Sequence, residues 1–345
     1  MAKIKNKDIA LALNISTAAV SMALNNKPGV SDETRKQVLE YVMNHSDQEV
    51  SPLLNLMNKK SIILDIHKSH GDIIIEKPFF SKLITATEME ARKDGYSLVM
   101  THYDPSTDLE AYVSSLNQMN ASGVLILATE LTQEALQVYN QKLKIPFVLI
   151  DGYIDTCPTD AVSLDNQNAV FRSYQYAYSM GHRNIGYIKC SSVIPNFVHR
   201  FNGFMIGRFT LDSTAIDNPT VFELPPSMDK AQQAMAQILA NLPEDFEMPT
   251  CFICDMDFVA IGAMTAFLQK GYCIPDDVSF IGFDDIDYSL MIQPSLTTIH
   301  LHESTLGREA VRLLLERIEH PDYCHKIVRL SGDFIERESV LNRNV

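Results

Sequence analysis

Ile15-Ser16-Thr17-Ala18-Ala19-Val20-Ser21-Met22-Ala23-Leu24-Asn25-Asn26-Lys27-Pro28-Gly29-Val30-Ser31-Asp32-Glu33-Thr34-Arg35 is the stretch on which the fold of this chain turns. Ser16 is placed to cap a helix running to about Asn25, because its hydroxyl can accept from an orphan N–H of the first turn. Asn26-Lys27-Pro28-Gly29 has the composition of a loop. Ser31 then caps a further helix, with Asp32 and Glu33 at the positive end of its dipole. Upstream, Asn6 caps a short helix from about Lys7 to Leu13, with Ile9, Leu11 and Leu13 among its apolar residues. Asn14 stands at the turn, where Asn tolerates left-handed backbone. Three short helices with a tight turn between the first two read as a helix-turn-helix.

The second helix separates into two sides when residues are stepped at about 100° each. Thr17, Ala18, Ser21, Met22 and Asn25 fall on one side; Ala19, Val20, Ala23 and Leu24 fall on the other. The first side presents Thr, Ser, Asn, Ala and Met and carries no charge, whereas a solvated helix face usually carries Lys and Glu. A major groove accepts such a face, with hydroxyls and the Asn25 amide reaching phosphates or base edges and Ala18 and Met22 meeting thymine methyls. A three-helix module that packs on protein is the other reading of the same pattern.

The chain has 345 residues, 46% of them hydrophobic and 21% charged, enough for two or three domains with full cores. Its net charge of −14 is unusual for a nucleic-acid binder, but the charge is unevenly spread. Residues 1–60 hold eight Lys/Arg against six Asp/Glu, so the excess acid lies in the body. No apolar run approaches the roughly 20 residues of a membrane span, and the first residues lack an apolar signal core, so a cytoplasmic protein is expected. Cys251 and Cys254 form a C-x-x-C, which lies in a strand-like apolar run with no second pair to complete a zinc site. Buried core is the favoured reading there.

From Ser61 onward apolar strand-like runs alternate with amphipathic helices. The strands expected are 62–66, 98–101, 124–128, 147–151, 185–190, 251–254 and 278–282. The helices expected are 79–94, 108–120, 131–144, 166–180, 196–211, 228–241, 257–270 and 303–318. Alternation of this kind implies parallel sheets with helices on both faces, and so many strands imply two subdomains with a ligand crevice at the strand carboxyl ends.

The whole of 7–35 resembles the headpiece of the LacI/GalR family, and the body resembles that family at Gly181-His182-Arg183-Asn184-Ile185, at 274–285 and at 294–299. The resemblance implies an all-α helix-turn-helix headpiece (1–46), a hinge (47–60) and an α/β periplasmic-binding-protein-like effector and dimerisation domain (61–345). Its two doubly wound subdomains would be 61–160 with 292–324 and 161–291 with 325–345, the chain crossing near 160, 292 and 324. Thr17, Ala18 and Met22 would read bases, and Ser16, Ser21, Asn25, Asn26 and Thr34 would lie near phosphates. Most members carry Arg where this chain has Met22, so its operator should differ at that base pair. In the hinge Leu56 matches the leucine that wedges between base steps, but the family's neighbouring Tyr, Pro, Asn and Arg are missing and Asp47 and Glu49 are acidic. A plain linker is the alternative.

Effector residues follow by position. Arg200 matches the arginine that holds effector oxygens, with a surface ion pair as its alternative. Asp151, Asp257 and Asp284 each follow a strand end, and carboxylates with a guanidinium fork suit a polyhydroxy ligand. Phe79 and Phe80 offer a face to a sugar or purine ring, or else pack in the core. His67, Lys68 and His70, like His300 and His302, read as solvated or satisfied side chains. No metal and no cofactor is expected, and no nucleotide, hydrolase or zinc-protease motif is present, so the chain reads as a non-enzyme. The expected partners are a pseudo-palindromic operator, a small-molecule effector of carbohydrate type and a second copy of the chain in a homodimer. A regulator answering to a protein co-regulator or to no ligand, and a sugar receptor without DNA binding, are the competing functions.

Overall fold

The computed structural model describes residues 6–24, 29–45, 60–71, 73, 78–212 and 218–344. They divide into two units, Met1–Lys60 and Ser61–Val345. In the first, helices α1 (Asn6–Leu13), α2 (Thr17–Leu24) and α3 (Asp32–His45) enclose Ile9, Ala10, Val20, Ala23 and Val38. The axes of α1 and α2 meet at 111° across Asn14, which takes the left-handed φ of 52° expected of it. Ser16 Oγ accepts from Ala19 N at 3.0 Å, and Ser31 Oγ accepts from Thr34 N at 3.2 Å. Both are the caps expected. Leu11 is the departure: it is 87% exposed, because α1 buries only the stripe through Ile9, Ala10 and Leu13.

The second unit holds two parallel sheets. The first contains β1 (Ser61–His67), β2 (Ser97–Tyr103), β3 (Gly123–Leu127), β4 (Phe147–Ile150), β5 (Ala161–Leu164) and β11 (Ile327–Leu330), in the order β11-β5-β4-β3-β1-β2. Helices α4 (Pro78–Lys93), α5 (Leu109–Leu116), α6 (Gln133–Lys142) and α12 (Glu303–Glu319) cover it. The second sheet runs β7 (Val221–Leu224), β6 (Ile185–Cys190), β8 (Cys251–Cys254), β9 (Ser279–Ile281). Its helices are α7 (Asn166–Ser179), α8 (Pro195–Leu211), α9 (Met228–Asn241) and α10 (Asp257–Lys270). A short α11 (Tyr288–Met291) and the antiparallel pair β10 (Thr298–His300) and β12 (Asp333–Ile335) complete the fold.

All three crossings fall later than 160, 292 and 324. β5 pairs with β4 and β11 pairs with β5, both in the first sheet. Thr297 and His300 bridge back to Ile281 and Asp284, so that segment still belongs to the second subdomain. The first subdomain is therefore 61–164 with 303–330, and the chain crosses near 165, 302 and 331. Short strands such as β5 and β11 lie between polar residues and lack a run long enough to register as a strand. Asp160 helps hold two crossings together: buried, it meets Arg317 of α12 at 2.5 Å and accepts from Lys326 N at 2.8 Å.

Cys251 and Cys254 are buried in β8, where burial pushes both thiols well up from their ordinary range. His67 is buried as well, stacked on Tyr103 and 3.2 Å from the Tyr139 hydroxyl, and burial lowers its pKa to about 4. It is a neutral core group at pH 7. His300 and His302 pair with Asp285 (2.9 Å) and Asp333 (3.0 Å) at the crossings. Among the described residues no single helix is long and apolar enough to cross a membrane.

Candidate functional site

Helix α2 presents Thr17 and Ala18 exposed and Ser21 and Met22 half-buried, while Val20 and Ala23 face the headpiece core. The division by angle is thus realised in the packing. Met22 is more constrained than a free reading residue. Its Sδ lies 3.1 Å from where a Cβ on Gly29 would stand, so its thioether rests on the loop leading to α3. Gly29 itself has a φ of 115°, which a side chain would strain. Ser16 and Thr34 sit at the N-termini of α2 and α3, where the helix dipole favours a phosphate. Thr34 Oγ1 also lies 2.8 Å from Ser31 Oγ. Asn25, Asn26, Leu56 and the expected hinge through residue 59 lie outside the described residues.

The cleft is built on strand carboxyl ends of both sheets. Asp151 follows β4 with a φ of 59°, and Asp284 follows β9 with a φ of 117°. Left-handed backbone at two non-glycine residues costs free energy, and such strain gathers at functional sites. α8 begins at Pro195, and Asn196 and Arg200, one turn apart, share the face of that helix that looks into the cleft.

A continuous hydrogen-bond chain ties the two subdomains together there. Thr129 Oγ1 donates to Asp151 Oδ2 at 2.7 Å, and Asn196 Nδ2 donates to the Asp151 carbonyl at 3.0 Å. Asn166 Nδ2 donates to Asn196 Oδ1 at 3.1 Å, and Arg200 Nε donates to Asn166 Oδ1 at 2.8 Å. Arg200 is only 4% exposed. Its guanidinium lies 3.6 Å from the centroid of Phe283, donates to the Asp255 carbonyl and stands 3.7 Å from Asp284 Oδ1. A surface ion pair is excluded by that burial.

Among the described residues the cation lining the cavity is Arg200, and its charge acts on the carboxylates of Asp151, Asp255 and Asp284. Burial pushes Asp151 up to about 6, against the pull of the Thr129 hydroxyl and the Arg200 charge. Burial likewise pushes Asp255 up to about 6, against its bonds from Tyr187 Oη (2.6 Å) and Cys190 N (2.7 Å) and the same charge. Phe79 and Phe80 close the cavity with their rings edge to face at 5.1 Å, and Ile73, Leu164, Phe197 and Met256 complete its apolar side. The free volume inside is about 40 Å³. Water fits; a sugar or purine ring enters only if the walls part.

Asp257 does not line this cavity. Its carboxylate accepts from Ser289 Oγ (2.6 Å), Thr298 Oγ1 (2.7 Å) and Ile286 N (3.1 Å), which ties α10 to α11 and β10. A buried carboxylate needs such donors, and these use it up, so its assignment to the effector site is corrected to a structural one. Asn196, Asn166, Thr129 and Asp255 were missed. Only Asn196 carried a signal, its spacing of four from Arg200 on one helix.

Glu130 was also missed. It accepts from the N–H groups of Ser69, His70, Gly71 and Ile73, at 2.7–3.1 Å. Burial pushes its carboxyl up, but those N–H groups outweigh burial and hold it below its usual range. The loop so pinned carries Ile73 out of the first subdomain and into the hydrophobic cluster of the second, which also holds Ile188 and Met256.

Residues 6–47 match the family described as bacterial regulatory proteins, lacI family, and residues 174–340 match a periplasmic binding protein-like domain. The HTH-type transcriptional repressor PurR of Mannheimia succiniciproducens is 30% identical over 338 residues, spanning 97% of this chain and 98% of that protein. Among solved structures, a lac repressor dimer bound to operator and the anti-inducer ONPF aligns with a TM-score of 0.73 at 21% identity, covering 99% of this chain and 100% of the other. A complex of the transcriptional regulator CelR with cellobiose aligns with a TM-score of 0.69 at 20% identity, covering 98% and 100%.

Proposed function

The chain belongs to the LacI family of bacterial regulatory proteins, a DNA-binding repressor with a periplasmic-binding-protein-like effector domain, and from that membership we propose how it is controlled. The effector is a neutral polyhydroxy molecule of carbohydrate type, gripped by Arg200, Asp284 and Asp151 against Phe79 and Phe80. Its binding alters the hold of a homodimer on a pseudo-palindromic operator, in the compartment where that DNA lies, the cytoplasm. Thr17, Ala18 and Met22 read base edges; Ser16, Ser21 and Thr34 meet phosphates.

One observation carries the effector reading. Arg200 is a buried guanidinium whose bonds form a chain across the cleft to Asp151, beside two carboxylates on left-handed backbone. A ligand with several hydroxyls can exchange hydrogen bonds with both subdomains through that chain, so ligand binding and cleft geometry are coupled. The relative named CelR binds cellobiose, which agrees with a carbohydrate here.

A thermal-shift screen against sugars, sugar phosphates and nucleobases tests this, since a ligand that binds only the folded state raises its stability. A sugar should raise Tm in the wild type and leave Arg200→Ala and Asp284→Asn unmoved. A shift retained in both variants would place the site elsewhere. The small inner volume favours one second reading, a cleft that stays shut while a protein co-regulator sets the response. A screen in which no compound shifts Tm would leave that reading standing.

A further inference from the structure

Ile73 crosses from one subdomain into the other. It follows β1 of the first subdomain, yet it is 5% exposed and packed in the hydrophobic cluster of the second. Every other buried member of that cluster lies between 188 and 296. The same side chain lines the inner cavity with Phe80, Arg200 and Asp284. Parting the subdomains therefore means drawing Ile73 out of an apolar socket into water. The hydrogen bonds that cross the cleft can be exchanged for bonds to water, whereas that apolar contact has no such substitute.

One carboxylate fixes where Ile73 stands. Glu130, itself 2% exposed, accepts from the N–H groups of Ser69, His70 and Gly71 through Oε2 and from that of Ile73 through Oε1. Ser69 Oγ adds a bond to the Glu130 carbonyl at 2.7 Å. Gly71 takes a left-handed φ of 77°, which glycine adopts without a steric cost. Hydrogen bonds from N–H groups to an ionised carboxylate are about twice as strong as neutral ones. Glu130 belongs to the first subdomain and the socket to the second, so carboxylate and side chain together span the crevice.

We infer that Ile73, held in place by Glu130, is a latch that closes the cleft with the chain's own side chain. The closed form is then populated without an effector, and an effector must draw the latch out to enter. Whatever its chemistry, it binds with an affinity reduced to the unlatched fraction of the protein. Glu130 is a positioning residue in this scheme, since it acts through Ile73 and does not line the cavity itself. The latch stands whether or not the effector is a sugar; only its effect on DNA rests on the reading that the cleft controls the headpiece. Each buried carbon removed shifts such an equilibrium about fourfold. Ile73→Val removes one carbon and Ile73→Ala three, so the closed-to-open ratio should fall about fourfold and about tenfold or more. Glu130→Gln keeps the shape, gives up the charge and turns an NH2 group toward N–H donors.

The test uses two native cysteines. Cys324 lies in the first subdomain and Cys273 in the second, and both are exposed, so nitroxide labels there report the separation of the subdomains. The full-length chain is labelled on a Cys157→Ser background and diluted into an excess of unlabelled chain carrying Cys273→Ser and Cys324→Ser. Pulsed electron resonance, with no small molecule added, should give one dominant distance for the wild type. Ile73→Val should stay close to it, while Ile73→Ala and Glu130→Gln should populate a second distance. Urea unfolding of the same proteins separates a latch from ordinary core. A variant that loses stability yet keeps the wild-type distances would show Ile73 and Glu130 to be structural only, and would overturn the inference. Two distances already present in the wild type and unmoved in the variants would overturn it as well. Operator recovered by selection is then titrated against each protein. An altered distance with altered operator affinity supports latch and coupling together. An altered distance with unaltered affinity supports the latch and removes the reading that the cleft controls the headpiece.

Discussion

Replacing Arg200 by Met keeps bulk over Phe283 and removes the charge that the cleft is built around. The guanidinium stands 3.7 Å from Asp284, and at an effective dielectric of about 20 that pair is worth roughly 4 kcal/mol before desolvation. Stripping one partner from a buried pair typically costs about 3–5 kcal/mol. The Nε bond to Asn166 is lost as well. The loss should also depend on pH. Burial disfavours the charge of Asp151 and Asp255 and pushes both up to about 6, above the ordinary carboxylate range. Their contribution to stability is therefore greatest below pH 4 and is lost as pH rises through 6. Arg200 tempers that loss by attracting both carboxylates, so its removal hurts most when they are ionised. At pH 5 both take up a proton and need the arginine less. Urea unfolding of the effector unit, followed by intrinsic tyrosine fluorescence, should show a loss of about 3–5 kcal/mol at pH 8. At pH 5 the loss should be smaller by about 1 kcal/mol or more, the worth of roughly one pKa unit. An equal loss at both pH values, or a loss below about 1 kcal/mol at pH 8, would refute the electrostatic account of the cleft.

Other substitutions probe the remaining assignments. A Cβ on Gly282 would stand 2.0 Å from Asp257 Oδ1, so Gly282→Ala must break the anchor among α10, α11 and β10. The expected loss is about 2–4 kcal/mol, seen as a lower Tm of the effector unit; an unchanged Tm would mean that Asp257 anchors nothing. Gly29→Ala meets both a φ of 115° and the Met22 thioether and should cost the headpiece about 1–3 kcal/mol, read from its helical circular dichroism on heating. Met22→Arg should move selection from a randomised half-site library toward guanine at one base pair, by about 1–3 kcal/mol of discrimination. Unaltered selection would show that Met22 stays folded on Gly29 and does not read DNA.

The headpiece was legible because its signals are local. Ser16, Ser31 and Asn14 act within a few residues, and a helix of eight residues shows its two faces in the sequence itself. The long helices of the effector unit were legible for the same reason; Arg200, Asp151 and Asp284 came from the resemblance, and they line one cavity. What failed was what distance decides. Asp257 and Asp284 both follow strand ends, yet one is consumed by Ser289 and Thr298 and the other opens into the cavity. The edge strand β11, Ile327–Leu330, alternates exposed and half-buried residues, and no run of four residues announces which sheet it joins. Glu130 gave no sign that a loop some sixty residues upstream would wrap its N–H groups around it. Burial of polar groups is a property of the assembled crevice, and the sequence holds only its pieces.

The central claim is that a ligand in the cleft changes the hold on DNA. It is tested most directly by measuring both affinities in one system. The operator is recovered by selection with the full-length protein, and the effector by the thermal-shift screen. Fluorescence anisotropy then gives operator Kd with and without effector, and calorimetry gives effector Kd with and without operator. Linkage requires the two ratios to be equal, and the account predicts a common factor of about 5–150, the usual range for a coupled pair of sites. An effector that binds in the cleft yet leaves operator affinity unchanged would contradict it.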